Sequence, residues 1–498
     1  MTRALASLLL VLAPVEAIAQ AIPASPEALV FEPFVFEPPR AKDHRVVLRG
    51  GIVAFIKEDR TLPLVNVAVQ VRTGRWLEPE GTPGLVALVG SQMRRGGTRS
   101  LSAEALDERL DFLAAQIATG VGDTVASATL NCLADNLDES LRLFVDVLRH
   151  PGFQEDRLAL AKQQALQEMK KRNDESGDIE AREWNLLLLG EDHFTNRFST
   201  QASLEAIVRD DLVQFHRRHF YPANMILAVS GALARDAMVR KLEAAFSGWA
   251  SPRLAVPPVP SGIKTASPGL YRIQKDVNQG RVAIGLPSVL RTSPDVYALE
   301  VMNEILGGSG FSSRITKTVR SNEGLAYSAG SGIGFGVYYP GRFRAGFQSK
   351  SRSVALATRL VFDEIRRIRE ELVGDEELET IQRSLIETFP SNFTSAAQVV
   401  GTFAADEYTR RDPSFWPTYR DRIRAVTKED VRRVARAYLV PERMIVLVVG
   451  DLKEIDLGDP KQPVRLESLA PGGAVVTLPL RDPLTMKPIS SGTPPRSP

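Results

Sequence analysis

Two periodicities alternate along this chain. Apolar residues recur at every second position in "GGIVAFIKED" (50–59) and "LVNVAVQVRTG" (64–74), and again in "YRIQKD" (271–276) and "GRVAIGLPSV" (280–289). Side chains that change face at each residue read as half-buried β-strands. Between these runs the period lengthens. "GLVALVGSQMRRGGT" (84–98) and "LDESLRLFVDVLR" (137–149) carry apolar residues at helical spacing, and "TVASATLNCLA" (124–134) returns to the strand period. Thr82 is placed to cap the first helix, with Pro83 at its first position. The order of strands, helix, long strand and helices predicts an α+β fold, with a mostly antiparallel sheet and helices packed on one face.

The pattern occurs twice. "LEAIVRDDLVQFHRRHFYPANMILAVSGAL" (204–233) aligns with "IRAVTKEDVRRVARAYLVPERMIVLVVGDL" (423–452), carrying Asp211 to Asp430, Pro222 to Pro441 and Gly231 to Gly450 at a constant offset of 219 residues. Each copy reads as an amphipathic helix, a proline stop and a strand ending in glycine. Two homologous halves, 43–250 and 270–456, follow from this. They are joined by the Pro/Ser/Gly-rich linker 251–269, "SPRLAVPPVPSGIKTASPG". A Pro-rich tail, 457–498, closes the chain, and its last ten residues or so read as disordered.

The N-terminus, "MTRALASLLLVLAPVEAIAQA", has one Arg, an apolar run of about ten residues and small residues at 17, 19 and 21. This is the layout of a cleavable signal peptide over 1–21, too short to remain as a membrane span. An extended segment, 22–42, follows it. No later stretch is long and apolar enough for a span. One cysteine, Cys132, in 498 residues excludes an internal disulfide and suits a bacterial periplasm. Cys132 itself reads as a small buried strand residue. A net charge of +2 gives no reason to expect nucleic acid or an anionic membrane as partner.

From here the chain resembles the pitrilysin/insulinase family of zinc peptidases, the inverzincins, and within it the group of the mitochondrial processing peptidase and short bacterial homologues. The resemblance covers about residues 43–455. It rests on the order and spacing of "LPLVNVAVQVRTGRWLEPEGTPGL", "LDESLRLFVDVLRHPGF", "FYPANMILAVSGAL" and "GGSGFSSRITKTVRSNEGLAYS". The family's active helix carries H-x-x-E-H: two His one turn apart on one zinc, and a Glu that activates water. Aligned between "PGL" and "GGT", the His positions fall on Ala87 and Ser91, and the Glu position on Gly90. Alanine and glycine offer no donor, and a Ser hydroxyl is a poor zinc ligand. The third ligand position falls on Glu168, which alone holds no zinc and reads as a solvated or ion-paired helix residue. Small residues at 87, 90 and 91 would leave room in the family's enclosed chamber, although such residues are also common at helix–sheet contacts. None of the five histidines (His44, His150, His193, His216, His219) rebuilds a site. His216 and His219, i and i+3 in "FHRRHF", are flanked by Arg217 and Arg218, whose charge disfavours a dication, and read as a partly exposed helix face. No bound cofactor is expected.

In the family's peptidases the half without zinc supplies an Arg and a Tyr that face the metal. Arg320 and Tyr327, seven residues apart in "VRSNEGLAYS", match that spacing. From residue type alone they read as a surface helix residue and a half-buried strand aromatic. The resemblance makes them substrate-binding: a forked donor for a peptide carbonyl or carboxylate, and a hydroxyl for a developing oxyanion. "GGSGFSSR" (307–314) has no Lys for a phosphate loop and reads as a tight strand–helix turn. The resemblance therefore implies a zinc-less subunit of a periplasmic heteromeric peptidase. It would pair with an H-x-x-E-H chain, which holds the zinc, and act on peptides or unfolded polypeptides. The alternative is a structural or peptide-binding homologue with no role in cleavage, as in core subunits of the respiratory bc1 complex. A third reading, a lone hydrolase with an unrecognised site, has no Ser/His/Asp or Cys/His set behind it.

Overall fold

The computed structural model describes Ser25 and residues 36–252 and 255–489. The signal-peptide reading, much of segment 22–42 and the terminal residues read as disordered lie outside the described residues.

The period-two runs form strands. The first sheet holds β1 (Arg45–Val47), β2 (Val53–Glu58), β3 (Leu64–Val71), β4 (Gln116–Val121), β5 (Ala126–Leu133) and β6 (Met225–Gly231) in the order β1-β2-β6-β3-β5-β4. The second holds β7 (Gly269–Gln274), β8 (Gln279–Pro287), β9 (Ala326–Gly334), β10 (Arg342–Lys350), β11 (Ile445–Gly450) and β12 (Val475–Thr477) in the order β12-β7-β11-β8-β10-β9. The two orders are equivalent position by position. In each, one inner pair is parallel (β2 with β6, β7 with β11) and the ladders beyond it are antiparallel. The 219-residue repeat thus marks equivalent central strands, β6 and β11. The edge beyond β2 and β7 differs. β1 precedes its neighbour and pairs antiparallel, whereas β12 comes from the tail and runs parallel to β7.

The first sheet shows why alternation works. Val65, Val67, Val69 and Val71 are at most 1% exposed and join the core beneath the helices Leu85–Arg95 and Leu137–Arg149. β6 is buried at every residue. Met225, Leu227 and Val229 belong to that same core, and its other face is covered by a helix from the second half, Ala396–Thr409. On β2, Phe55 points to that opposite face and its ring lies 6.1 Å from that of Phe403. The exchange is reciprocal. The helix Ser176–Leu189, from the first half, lies on the second sheet and buries Ile179, Trp184, Leu187 and Leu188 against Tyr271, Ile273, Ala283, Ile445, Leu447 and Val449. Each sheet therefore has its own helices on one face and one borrowed helix on the other. Both sheets belong to one compact unit beginning at Pro38.

The tail after 457 docks. Leu478 and Leu480 pack on the second-sheet cluster, and Leu484 on the first-half core. Arg481 pairs with Glu183 (3.3 Å) and Glu191 (2.6 Å), while its carbonyl accepts from the Asn173 side chain. Glu183 is only 3% exposed and also pairs with the buried Arg182. A buried carboxylate needs such partners.

Candidate functional site

The helix Leu85–Arg95 carries Ala87, Gly90 and Ser91, the positions that the resemblance aligns with the zinc motif. Thr82 does not cap it. Its hydroxyl is 3.5 Å from the Pro79 carbonyl, and the cap comes from Glu78, whose carboxylate accepts from the N–H groups of Gly84 (2.9 Å) and Val86 (3.0 Å). The chain enters the helix through Gly84 at φ 104°, a left-handed turn that glycine makes without a Cβ clash. Burial raises the Glu78 carboxyl above its ordinary pKa, opposed by the two N–H donors and by Arg75 and Arg197.

The three motif positions have different surroundings. Ala87 is exposed, Ser91 is half-buried and Gly90 is buried. Ser91 Oγ donates to the Leu88 carbonyl of its own helix. Gly90 does not leave open space. A Cβ there would lie 2.4 Å from Val121 N and 2.9 Å from Gly120 C, so the backbone of β4 occupies the place of a side chain. Thr119 Oγ1 closes the contact by donating to the Gly90 carbonyl at 2.6 Å. The second half repeats this arrangement. A Cβ on Gly307 would lie 2.4 Å from Ser331 N and 2.9 Å from Gly330 C of β9, the strand equivalent to β4. The first half therefore uses the same glycine-mediated helix–strand contact as the second.

Glu168 is on the helix Glu155–Lys170, with a side chain 75% exposed and 3.5 Å from Lys171 Nζ. His216 and His219 are not on a partly exposed face. They are 5% and 8% exposed, because the helix Arg209–His219 turns that face onto the core with Leu212 and Phe215. His216 Nε2 donates to the Leu148 carbonyl at 2.8 Å and its ring stacks on Phe220. Burial lowers each imidazole to a pKa of about 4. Cys132 is wholly buried in the first core, and burial raises its thiol pKa. Among the described residues no group of three or more His, Cys, Asp and Glu could hold a metal ion.

Arg320 and Tyr327 are brought together. Arg320 lies in a π-helical turn, Thr316–Asn322, and Tyr327 on the sheet-edge strand β9. The guanidinium carbon is 5.0 Å from the Tyr327 ring centroid and 4.5 Å from that of Phe311. Tyr327 is 87% exposed and Phe311 72%. Two solvent-facing rings thus flank one cation, and among the described residues Arg320 has no carboxylate partner. The support beneath is polar and rigid. Thr316 Oγ1 donates to the Ala329 carbonyl (2.8 Å), Thr318 Oγ1 to Glu364 (2.7 Å), and Arg314 makes a two-pronged pair with Glu377 (2.8 and 2.6 Å). π-Turns concentrate at functional sites. A guanidinium held between rings keeps its N–H edge for an incoming oxygen.

Phe311 is the residue that motif reasoning missed. Its only sequence signal is an aromatic within the Gly/Ser run "GGSGFSSR". That run joins two helical stretches, Glu304–Gly308 and Thr316–Asn322, rather than a strand and a helix. Among the described residues no hydrogen bond or ring contact links the trio to Ala87, Gly90 or Ser91.

The geometry can be set against known proteins. The family model described as the peptidase M16 inactive domain matches residues 206–385. A relative in Streptomyces coelicolor, named an uncharacterized zinc protease, is 26% identical over 82% of this chain and 90% of its own. The chain is a homologue of the M16 peptidases. Another relative of this M16 homologue, in Helicobacter pylori, is named a non-peptidase homolog, YmxG, and is 23% identical over 83% of this chain and 95% of its own. The fold is similar to the peptidase M16 inactive domain of Pseudomonas fluorescens (TM-score 0.72, 22% identity, 82% of this chain and 97% of that one). It is also similar to the periplasmic protease PqqL of Escherichia coli (TM-score 0.67, 15% identity, 81% of this chain and 45% of that one).

A zinc ion does not fit the residues at the positions that the resemblance aligns with the family's ligands. Ala87 and Gly90 carry no donor, the Gly90 position has no room for a side chain, and Glu168 is turned to solvent beside Lys171.

Proposed function

We propose that this M16 homologue is the zinc-less subunit of a periplasmic heteromeric metallopeptidase. It pairs with a homologous H-x-x-E-H chain that holds the zinc, and contributes Arg320 and Tyr327 to peptide binding. The observation that carries this reading is the half-buried Arg320 between the exposed rings of Phe311 and Tyr327, without an acidic partner among the described residues, in a protein whose residues 87 and 90 offer no metal donor. Arg320 holds a substrate carbonyl or carboxylate by forked, charge-assisted hydrogen bonds. The Tyr327 hydroxyl donates to the oxygen that gains charge when water attacks the scissile carbonyl. Phe311 adds an apolar surface for a neighbouring substrate side chain. The signal-peptide layout of residues 1–21 supports export.

The alternative is a non-catalytic structural or peptide-binding homologue. It is favoured by the shared packing of Gly90 and Gly307, which makes the motif helix an ordinary structural helix. The test is to purify this chain alone and with an exported H-x-x-E-H homologue, then measure zinc content and peptide cleavage. The proposal expects zinc and activity only in the mixture. Arg320→Ala should raise KM and lower kcat/KM at least tenfold, about the loss of one charged hydrogen bond. Tyr327→Phe should lower kcat with little change in KM. Wild-type kinetics for both variants would leave the structural reading standing. Stoichiometric zinc and cleavage by the lone chain would overturn both.

A further inference from the structure

A cavity of about 420 Å³ lies in the first half, lined along the helix Arg209–His219, by the end of the helix Leu137–Arg149 and by the start of the linker. Its volume is that of a small-molecule site. Four arginines line it, Arg99, Arg149, Arg209 and Arg217, and no Asp or Glu does. Among the described residues none of the four forms an ion pair. In a chain of net charge +2, four unneutralised guanidinium groups around one cavity without an Asp or Glu in its lining are a local excess of positive charge.

The four are not equivalent. Arg209 donates to the carbonyls of Gly152 (2.8 Å) and Phe153 (2.9 Å). Arg149 donates to Ser247 O (3.0 Å) and Gly248 O (2.6 Å), and its guanidinium carbon is 5.8 Å from the Trp249 ring centroid. These two are fixed. Arg99 and Arg217 are exposed and make no side-chain hydrogen bond among the described residues, so both can close on a ligand.

We propose that this cavity binds a polyphosphate anion, either inorganic or as the phosphate chain of a nucleotide. A single carboxylate can engage only one or two of the four cations, and exposed pairs are weakened by salt. A chain of phosphates offers forked acceptors to Arg99 and Arg217, while Arg149 and Arg209, their forks held by backbone carbonyls, add positive charge to the wall. Trp249 forms one wall two residues before the linker, so a bound anion would brace the point where the chain leaves the first half.

The test is titration of the full chain with sodium tripolyphosphate, ATP and an N-acetylated peptide with a free C-terminus, followed by calorimetry and tryptophan fluorescence. The expected result is one tripolyphosphate per chain, an affinity that falls as salt rises, and weaker binding of the peptide. Arg99→Ala and Arg217→Ala should each weaken tripolyphosphate binding about tenfold, with an unchanged urea midpoint, since neither side chain holds a structural contact. Arg383→Ala/Arg424→Ala removes the same charge from exposed sites elsewhere and should leave affinity unchanged. Tighter binding of ATP assigns the nucleotide, and equal binding assigns the inorganic anion. No binding of either at millimolar concentration, equal affinity in the Arg99→Ala/Arg217→Ala variant, or peptide binding as tight as that of tripolyphosphate overturns the proposal.

Discussion

Gly90 gives the sharpest test of why the zinc site cannot simply be rebuilt. Replacing it by Ala places a methyl carbon 2.4 Å from Val121 N and 2.9 Å from Gly120 C. Relief requires β4 to move away by roughly 1 Å, since carbon contacts settle near 3.5–4.0 Å. β4 is an edge strand, paired only with β5, so it can shift, but the Thr119–Gly90 hydrogen bond would stretch. Overpacking of this kind costs about 1–3 kcal/mol. The weakened hydrogen bond adds about 1 kcal/mol, and alanine returns about 1 kcal/mol in helix propensity. The net expectation is a destabilisation of about 1–3 kcal/mol, read from urea unfolding followed by circular dichroism. Gly307→Ala should lose a similar amount through Ser331 and Gly330. The triple variant Ala87→His/Gly90→Glu/Ser91→His should be less stable than Gly90→Ala and take up no stoichiometric zinc. A Gly90→Ala protein within about 0.5 kcal/mol of wild type, below the usual effect of a core change, would refute the close-approach argument. So would a triple variant that folds normally with one zinc.

Other outcomes follow from the same structure. Glu78→Ala leaves the Gly84 and Val86 N–H groups without their acceptor and should cost about 2–4 kcal/mol at neutral pH, while Glu78→Gln, which keeps an acceptor oxygen, should cost less than half of that by denaturant unfolding. His216 and His219 have native pKa values of about 4 against an unfolded value near 6.5, so the unfolded chain binds more protons. Stability is thus full above pH 6.5 and is lost as pH falls toward 4, by about 2 kcal/mol per histidine at pH 5. Equal unfolding free energies at pH 7 and pH 5 would contradict this. Arg481→Ala removes the tail's partner of the buried Glu183 and should destabilise by about 1–3 kcal/mol, less than loss of a sole partner because Arg182 remains. Limited proteolysis of that variant should cut first within 475–489, and resistance there equal to wild type would argue against the docked tail.

Much of the architecture is local and therefore legible in the chain. Alternation at Val65, Val67, Val69 and Val71 marks a strand with one buried face, because the side-chain period of a strand is two. The 219-residue repeat marks equivalent central strands, because two segments of one pattern bury the same faces. The absence of zinc ligands at 87, 90 and 91 is likewise a fact of residue type. Arg320 and Tyr327 are singled out only by the resemblance; residue type alone reads them as a surface helix residue and a half-buried strand aromatic, and the fold sets the ring of Tyr327 in solvent beside the Arg320 guanidinium.

What the sequence could not contain is the set of contacts made by residues distant in the chain. The exchange of helices between the sheets joins Phe55 to Phe403, and no local period reports a partner so far away. The docking of a Pro-rich tail as the last strand depends on a vacant edge at β7, which exists only once the sheet has formed. The burial of His216 and His219 is decided by which face of an amphipathic helix meets the core, and charged neighbours at 217 and 218 hide that choice. Gly90 is the clearest case. Its identity removes a general base, but only the folded backbone of β4 shows that the position has no space for a side chain at all. Sequence determines chemistry one residue at a time; distance, and hence which chemistries can coexist, is set by the fold.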